Sequence, residues 1–237
     1  MARIGMITVG QAPRDDLVPA MREVFSRPAE ILQAGALDGL TEEEILSLGP
    51  GPAEVGIAAR LLDGSERLLS HAKVFPRVQR CVDRVRADGA DFVVILCGAD
   101  WSDIRCDVLV VNPGQVFPAV VAALGAGQRL GVIKPSAGQI EAARRQFADR
   151  GIEAVVTAAS PYTGARRLQD VRRAAEELNA AQVSLVWMTC VGMDEPMRRV
   201  VGEVTGVPVV LARSLLARVV DELLAAGRIP AEALSRP

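Results

Sequence analysis

Two stretches of this chain repeat one another. "GADFVVILCGADWSDI" (89–104) and "AAQVSLVWMTCVGMDEP" (180–196) each run from a small-residue turn through a short apolar strand to a cysteine, so that Cys97 and Cys190 correspond. Downstream lie "CDVLVVNPGQVFPAVVAALGAG" (106–127) and "TGVPVVLARSLLARVVDELLAAG" (205–227), both a strand, a polar break, an apolar helix and a small-residue ending. Upstream, "RIGMITVGQ" (3–11) and "RLGVIKPSAGQ" (129–139) open their halves with the same Arg-x-Gly strand. Three blocks recurring in one order demand a fold that can be built twice.

The elements within each half identify that fold. Short runs rich in β-branched residues alternate with longer helical patterns, the signature of α/β architecture with mostly parallel strands. Strands are expected at 4–9, 30–33, 92–96, 108–111, 130–133, 154–157, 184–188 and 207–211. Helices are expected at 13–25, 72–88, 115–126, 137–150, 165–180, 195–204 and 214–226. "TEEE" at 41–44 reads as a capping box opening a short helix that "GPGP" (49–52) ends. "IAARLLDGSERLLS" (57–70) places an Asp-Gly turn between two apolar arms, a β-hairpin inserted in the first half. The resulting expectation is two pseudo-symmetric, flavodoxin-like parallel-sheet domains with a ligand cleft between them. The first covers 1–112, with a C-terminal helix at 212–237 packing back on it, and the second covers 113–211.

Composition narrows the function classes. A net charge of −2 from well-mixed acids and bases supplies no basic field for nucleic acid. No segment approaches the roughly 20 apolar residues of a membrane span, and the opening residues lack an apolar leader core. A cytoplasmic protein with no nucleic-acid or membrane partner is expected. Cys81, Cys97, Cys106 and Cys190 show neither metal-pair spacing nor a disulfide framework, and His71 is the single histidine. No metal and no organic cofactor are expected, and a reactive thiol here acts without histidine.

In open parallel sheets ligands bind beyond the carboxyl ends of the strands, where loops lead into helix N-termini. Cys97 and Cys190 are both expected there, each beside a helix N-terminus able to hold a carboxylate and to favour a thiolate. Opposed thiols suit one reaction: one removes a proton from a carbon beside a carboxylate, and the other returns a proton to the opposite face. Around them, Thr8, Gln11 and Arg14 follow the first strand, and Arg14 is a candidate for a bidentate carboxylate contact or a solvated first-turn residue. Ser136 is a donor or an N-cap, the latter being favoured. Gly98, Ala99 and Asp100 follow the first cysteine, Thr189 and Val191 flank the second, and Asn112 and Tyr162 follow other strands. Cys81 and Cys106 are read as structural, and His71 as a helix start outside the site.

"ITVGQAPRDDL" (7–17), with Thr8, Gly10, Gln11, Pro13 and Arg14, resembles the AroM family, and the likeness runs through the hairpin, "VNPGQVFP" and "VPVVLARSLLARVVDELL". That family looks like a branch of the aspartate/glutamate racemase superfamily, which includes hydantoin racemases, maleate isomerases and arylmalonate decarboxylases. The resemblance implies two similar α/β domains, one or two working cysteines, no cofactor and a homodimer. Cys97 matches the first superfamily cysteine, with Gly98-Ala99 where Asn-Thr is usual. Cys190 matches the second, preceded by the small polar Thr189 and followed by Val191-Gly192 where Thr-His is usual. The reading is a racemase or epimerase acting on a small amino- or hydroxy-acid-like carboxylate through Cys97 and Cys190. The alternatives are a one-cysteine isomerase or decarboxylase, and a non-catalytic carboxylate binder.

Overall fold

The structure, a computed structural model, describes residues 1–52 and 54–226. In chain order the first half carries β1 (Ala2–Thr8), α1 (Val18–Arg22), β2 (Ala29–Gly35), α2 (Glu42–Ser47), β3 (Ile57–Arg60), β4 (Glu66–Leu69), α3 (His71–Ala87), β5 (Phe92–Ile95), β6 (Val110–Val111) and α4 (Pro113–Leu124). The second carries β7 (Leu130–Lys134), α5 (Ile140–Ala148), β8 (Ala154–Ala158), α6 (Arg167–Ala180), β9 (Leu185–Met188), α7 (Glu195–Thr205), β10 (Val209–Leu211) and α8 (Ala212–Ala225). Two compact units result among the described residues: Met1–Val116 with the chain from Leu216 to the end of α8, and Phe117–Leu215. The terminal helix expected over 212–237 is seen as α8, and residues 227–237 lie outside the described residues. No helix among the described residues is long and apolar enough to cross a membrane.

Each unit is built on a four-stranded parallel sheet, ordered β2-β1-β5-β6 in the first and β8-β7-β9-β10 in the second. The order is the same, strand for strand, as the repeated blocks require. The Arg-x-Gly openings show why that pattern recurs. Arg3 pairs with Glu30 at the head of β2 (2.9 Å) and donates to the carbonyl of Asp88, the C-cap of α3. Arg129 pairs with Glu153 before β8 (2.8 Å) and donates to the carbonyl of Ala181, the C-cap of α6. Gly5 and Gly131 let a helical layer approach the central strand: a Cβ at Gly5 would lie 2.5 Å from Val85 of α3, and one at Gly131 3.1 Å from Leu178 of α6. Both helices then turn through a left-handed residue, Gly89 (φ +91°) and Gln182 (φ +54°).

Strand alternation sorts the cores. Val93, Ile95 and Cys97 face the cluster that α3 covers with Val74, Val78, Cys81, Val82 and Val85. Val186 and Met188 face the cluster lined by α6 and α7, with Cys190 packed against its edge. The opposite face of β9 presents Trp187, met edge-on by Phe117 (6.4 Å) and Phe147 (6.2 Å).

The hairpin forms as β3 and β4, antiparallel, with Gly64 at φ +89° and Asp63 accepting from the Ser65 N–H at 2.8 Å. The capping box is complete, Glu44 N–H donating to Thr41 Oγ1 and Thr41 N–H to Glu44 Oε2. One helix is shorter than its pattern: the segment expected over 13–25 is helical only at Val18–Arg22. Pro19 fits a first helical turn, where its missing N–H is not needed. Residues 13–17 are drawn instead into side-chain bonding, Arg14 N–H donating to Gln33 Oε1 at 2.8 Å.

Candidate active site

In the first unit the loop after β1 is welded to the hairpin. Gln11 donates its backbone N–H to the Arg60 carbonyl (3.0 Å) and accepts the Leu62 N–H on Oε1 (2.8 Å). Gly10 touches the same hairpin, since a Cβ there would sit 2.1 Å from the Arg60 carbonyl oxygen. Arg14, only 2% exposed, makes the bidentate carboxylate contact its chemistry allows, but to Asp16 (2.8 and 2.9 Å). Its Nη1 donates to Thr8 Oγ1 at 3.2 Å. The reading of Arg14 as a solvated first-turn residue is therefore overturned, because Asp16 and Thr8 draw its guanidinium into the protein. Its charge is already met by Asp16. Asp38, which the sequence reading passed over, ties this loop to β2 by accepting from the N–H groups of Ala12 and Gly35, both at 2.8 Å.

Cys97 follows β5 and is 8% exposed. No helix follows it directly: the chain runs through an irregular loop to β6. "GADWSDIRCD" offers Asp and Ser turns instead of a helical apolar stripe, and Trp101 and Ile104 bury that loop in the core. The nearby helix start belongs to α4, where a Cβ on Gly114 would lie 2.1 Å from the Ala99 carbonyl oxygen. Asn112 fastens the two together, Oδ1 accepting from the Trp101 (3.3 Å) and Gly114 (3.1 Å) N–H groups and Nδ2 donating to Asp100 at 2.8 Å. The Ser102 hydroxyl, then the Asn112 amide, holds the Asp100 carboxyl below its ordinary range. Gly98 is exposed beside the thiol. His71 begins α3 as expected, and its ring also packs at a tilt against Trp101 (4.4 Å) with Nε2 2.9 Å from the Asp100 carbonyl oxygen. That support was missed because it links residues 29 positions apart.

Cys190 in the second unit is half-buried. Its sulfur accepts the Gly192 N–H at 3.4 Å. That donor is a loop amide, not a helix terminus, because α7 is capped by Asp194, whose carboxylate accepts the Met197 N–H at 3.0 Å. Thr189 spends its hydroxyl on the Ile133 carbonyl (3.1 Å), and Val191 is buried. Tyr162 is brought to this loop, its hydroxyl oxygen 2.2 Å from where a Gly192 Cβ would be. Ser136 occupies the N-cap position of the 3-10 turn Ala137–Gln139, but its side chain makes no capping hydrogen bond. The sequence reading did not single out Arg213, 8% exposed, which donates to the carbonyls of Val191 (3.0 Å) and Gly192 (2.9 Å). Its place in "VLARSLL", an arginine in an apolar stretch, was the available signal.

Cys81 lies in α3, where burial pushes its thiol up from the ordinary value, and Cys106 sits beside Asp107. Among the described residues no three His, Cys, Asp or Glu side chains converge as a metal site would need.

Two parallel four-stranded α/β units of one topology, each with a cysteine just beyond the strand beside its first, define a class: the two-domain racemase fold. Allantoin racemase from Klebsiella pneumoniae matches with TM-score 0.58 at 16% identity, covering 100% of this chain and 94% of that one. An arylmalonate decarboxylase matches with TM-score 0.58 at 17% identity, covering 95% and 93%. Glutamate racemase from Francisella tularensis subsp. tularensis SCHU S4, in complex with D-glutamate, matches with TM-score 0.58 at 13% identity, covering 99% and 83%. No curated protein matches the sequence. The chain belongs to the AroM family, whose model, described as AroM protein, matches residues 4–224.

Proposed function

We propose that this protein is a cofactor-independent racemase or epimerase acting at the carbon α to a carboxylate. The observation that carries the reading is the occurrence of Cys97 and Cys190 at equivalent points of a duplicated sheet, each just beyond the strand beside the first and each packed against its own unit's core cluster. In the reaction, one thiolate takes the α-proton: an S–H bond forms, the C–H bond breaks, and the electron pair spreads into the carboxylate. The other thiol then gives its proton to the opposite face of the carbon, closing a C–H bond and leaving the two sulfurs with exchanged protonation. Among the fold neighbours, the glutamate racemase suggests an α-amino carboxylate of this kind, whereas allantoin carries its stereocentre beside a ring amide carbonyl and tests whether a carboxylate is needed.

The unlike surroundings of the two thiols favour a second reading. Cys97 is buried while Cys190 is half-buried, a difference in exposure that suits a one-thiol decarboxylase or isomerase. The test is incubation in heavy water with amino acids, hydroxy acids, allantoin and arylmalonates, followed by NMR and chiral chromatography. Deuterium at the α-carbon with loss of optical purity supports racemisation, and loss of carbon dioxide supports decarboxylation. Unchanged spectra across the panel would leave a carboxylate binder.

A further inference from the structure

The peptide group joining Val191 to Gly192 is hydrogen-bonded at both ends. Its carbonyl accepts from Arg213 Nε at 3.0 Å, and its N–H donates to Cys190 Sγ at 3.4 Å. The same guanidinium reaches the next carbonyl, that of Gly192, through Nη2 at 2.9 Å. Arg213 stands on the first turn of α8 and is 8% exposed. Tyr162 and Pro161 press on Gly192, where a Cβ would meet them at 2.2 and 3.1 Å, so the peptide has little freedom to turn away.

A cationic donor on a carbonyl polarises the whole amide and strengthens the N–H at its other end. A stronger N–H facing sulfur favours thiolate over thiol. Among the described residues, charged or titratable groups at the ends of neighbouring elements include Tyr162 after β8, Lys134 at the end of β7, and Asp194 and Glu195 at the start of α7. Both acids are paired, Asp194 with Arg167 at 3.2 Å and Glu195 with Arg198.

We propose that Arg213 is a positioning residue for Cys190: it orients and polarises the Val191–Gly192 peptide so that the thiolate form of the sulfur is favoured over the thiol. The proposal deepens the racemase reading and rests on it for the use made of that thiolate, but its test reads the sulfur alone. The wild-type protein and Arg213→Gln are alkylated with iodoacetamide across a pH series, and each cysteine is followed by peptide mass spectrometry. In the wild type the Cys190 profile is expected to turn over about one pH unit or more below the free-thiol value of about 8.5. In Arg213→Gln it moves up by about one unit, with an approximately tenfold lower rate at neutral pH, while the Cys106 profile stays in place. An unmoved Cys190 profile in a folded Arg213→Gln protein overturns the proposal. Should that variant not fold, the wild-type profile decides alone, and a Cys190 midpoint at or above 8.5 overturns it. Loss of this effect leaves racemisation to its own assay, and absence of racemisation leaves this effect standing.

Discussion

Gly10 is fixed as glycine by the hairpin carbonyl that fills the space of its missing side chain. Gly10→Ala forces β3 away from the loop after β1, and a loss of about 2 kcal/mol or more is expected in urea unfolding. Asp100 acts more gently. Its carboxyl is held below the ordinary range chiefly by the Ser102 hydroxyl, so it contributes stability above the ordinary carboxylate value that disappears as pH falls through the lower folded one. Asp100→Asn is expected to flatten the stability curve below about pH 4, by less than about 1 kcal/mol because the group is largely solvated. An unchanged acid limb in urea titrations would contradict that assignment. At this scale the sequence announced which residue types could act but not whom they serve. Arg14 carries the right group for a carboxylate, and only the folded chain shows Asp16 already in its grip.

The elements were the most legible level, because their signals are local. Alternating apolar runs located all eight strands of the two sheets, and Asp63-Gly64 located the hairpin turn. Less legible was what surrounds each cysteine. Beyond Cys97, buried Trp101 and Ile104 anchor an irregular loop with no helical period, and the helix N-terminus alongside it is that of α4. Beyond Cys190, the helix end is taken by its own cap, Asp194. The repeat also exposes a place where the second unit has drifted: Gln182 holds the left-handed turn that Gly89 holds after α3. Gln182→Gly is expected to raise stability by about 0.5–1 kcal/mol, since a side chain is strained there and glycine is not. Thermal melting of the variant checks it, and a lower midpoint would show that the Gln182 side chain contributes more than its backbone strain removes.

For the whole molecule, duplication is the organising fact. It was readable because three blocks recur in order with a cysteine at the same point, and the two sheets repeat strand for strand. Less readable were the contacts that give each thiol its surroundings, which join distant segments: Arg213 to the loop of Cys190, and Asn112 and His71 to the loop of Cys97. The racemase reading assigns one proton transfer to each thiol. Its most direct test is α-deuterium exchange in heavy water, begun from each enantiomer of a turned-over substrate, with Cys97→Ala and Cys190→Ala compared separately. The account predicts that each variant loses racemisation while still exchanging one enantiomer, and that the two variants favour opposite enantiomers. Racemisation that survives the loss of either cysteine would contradict it.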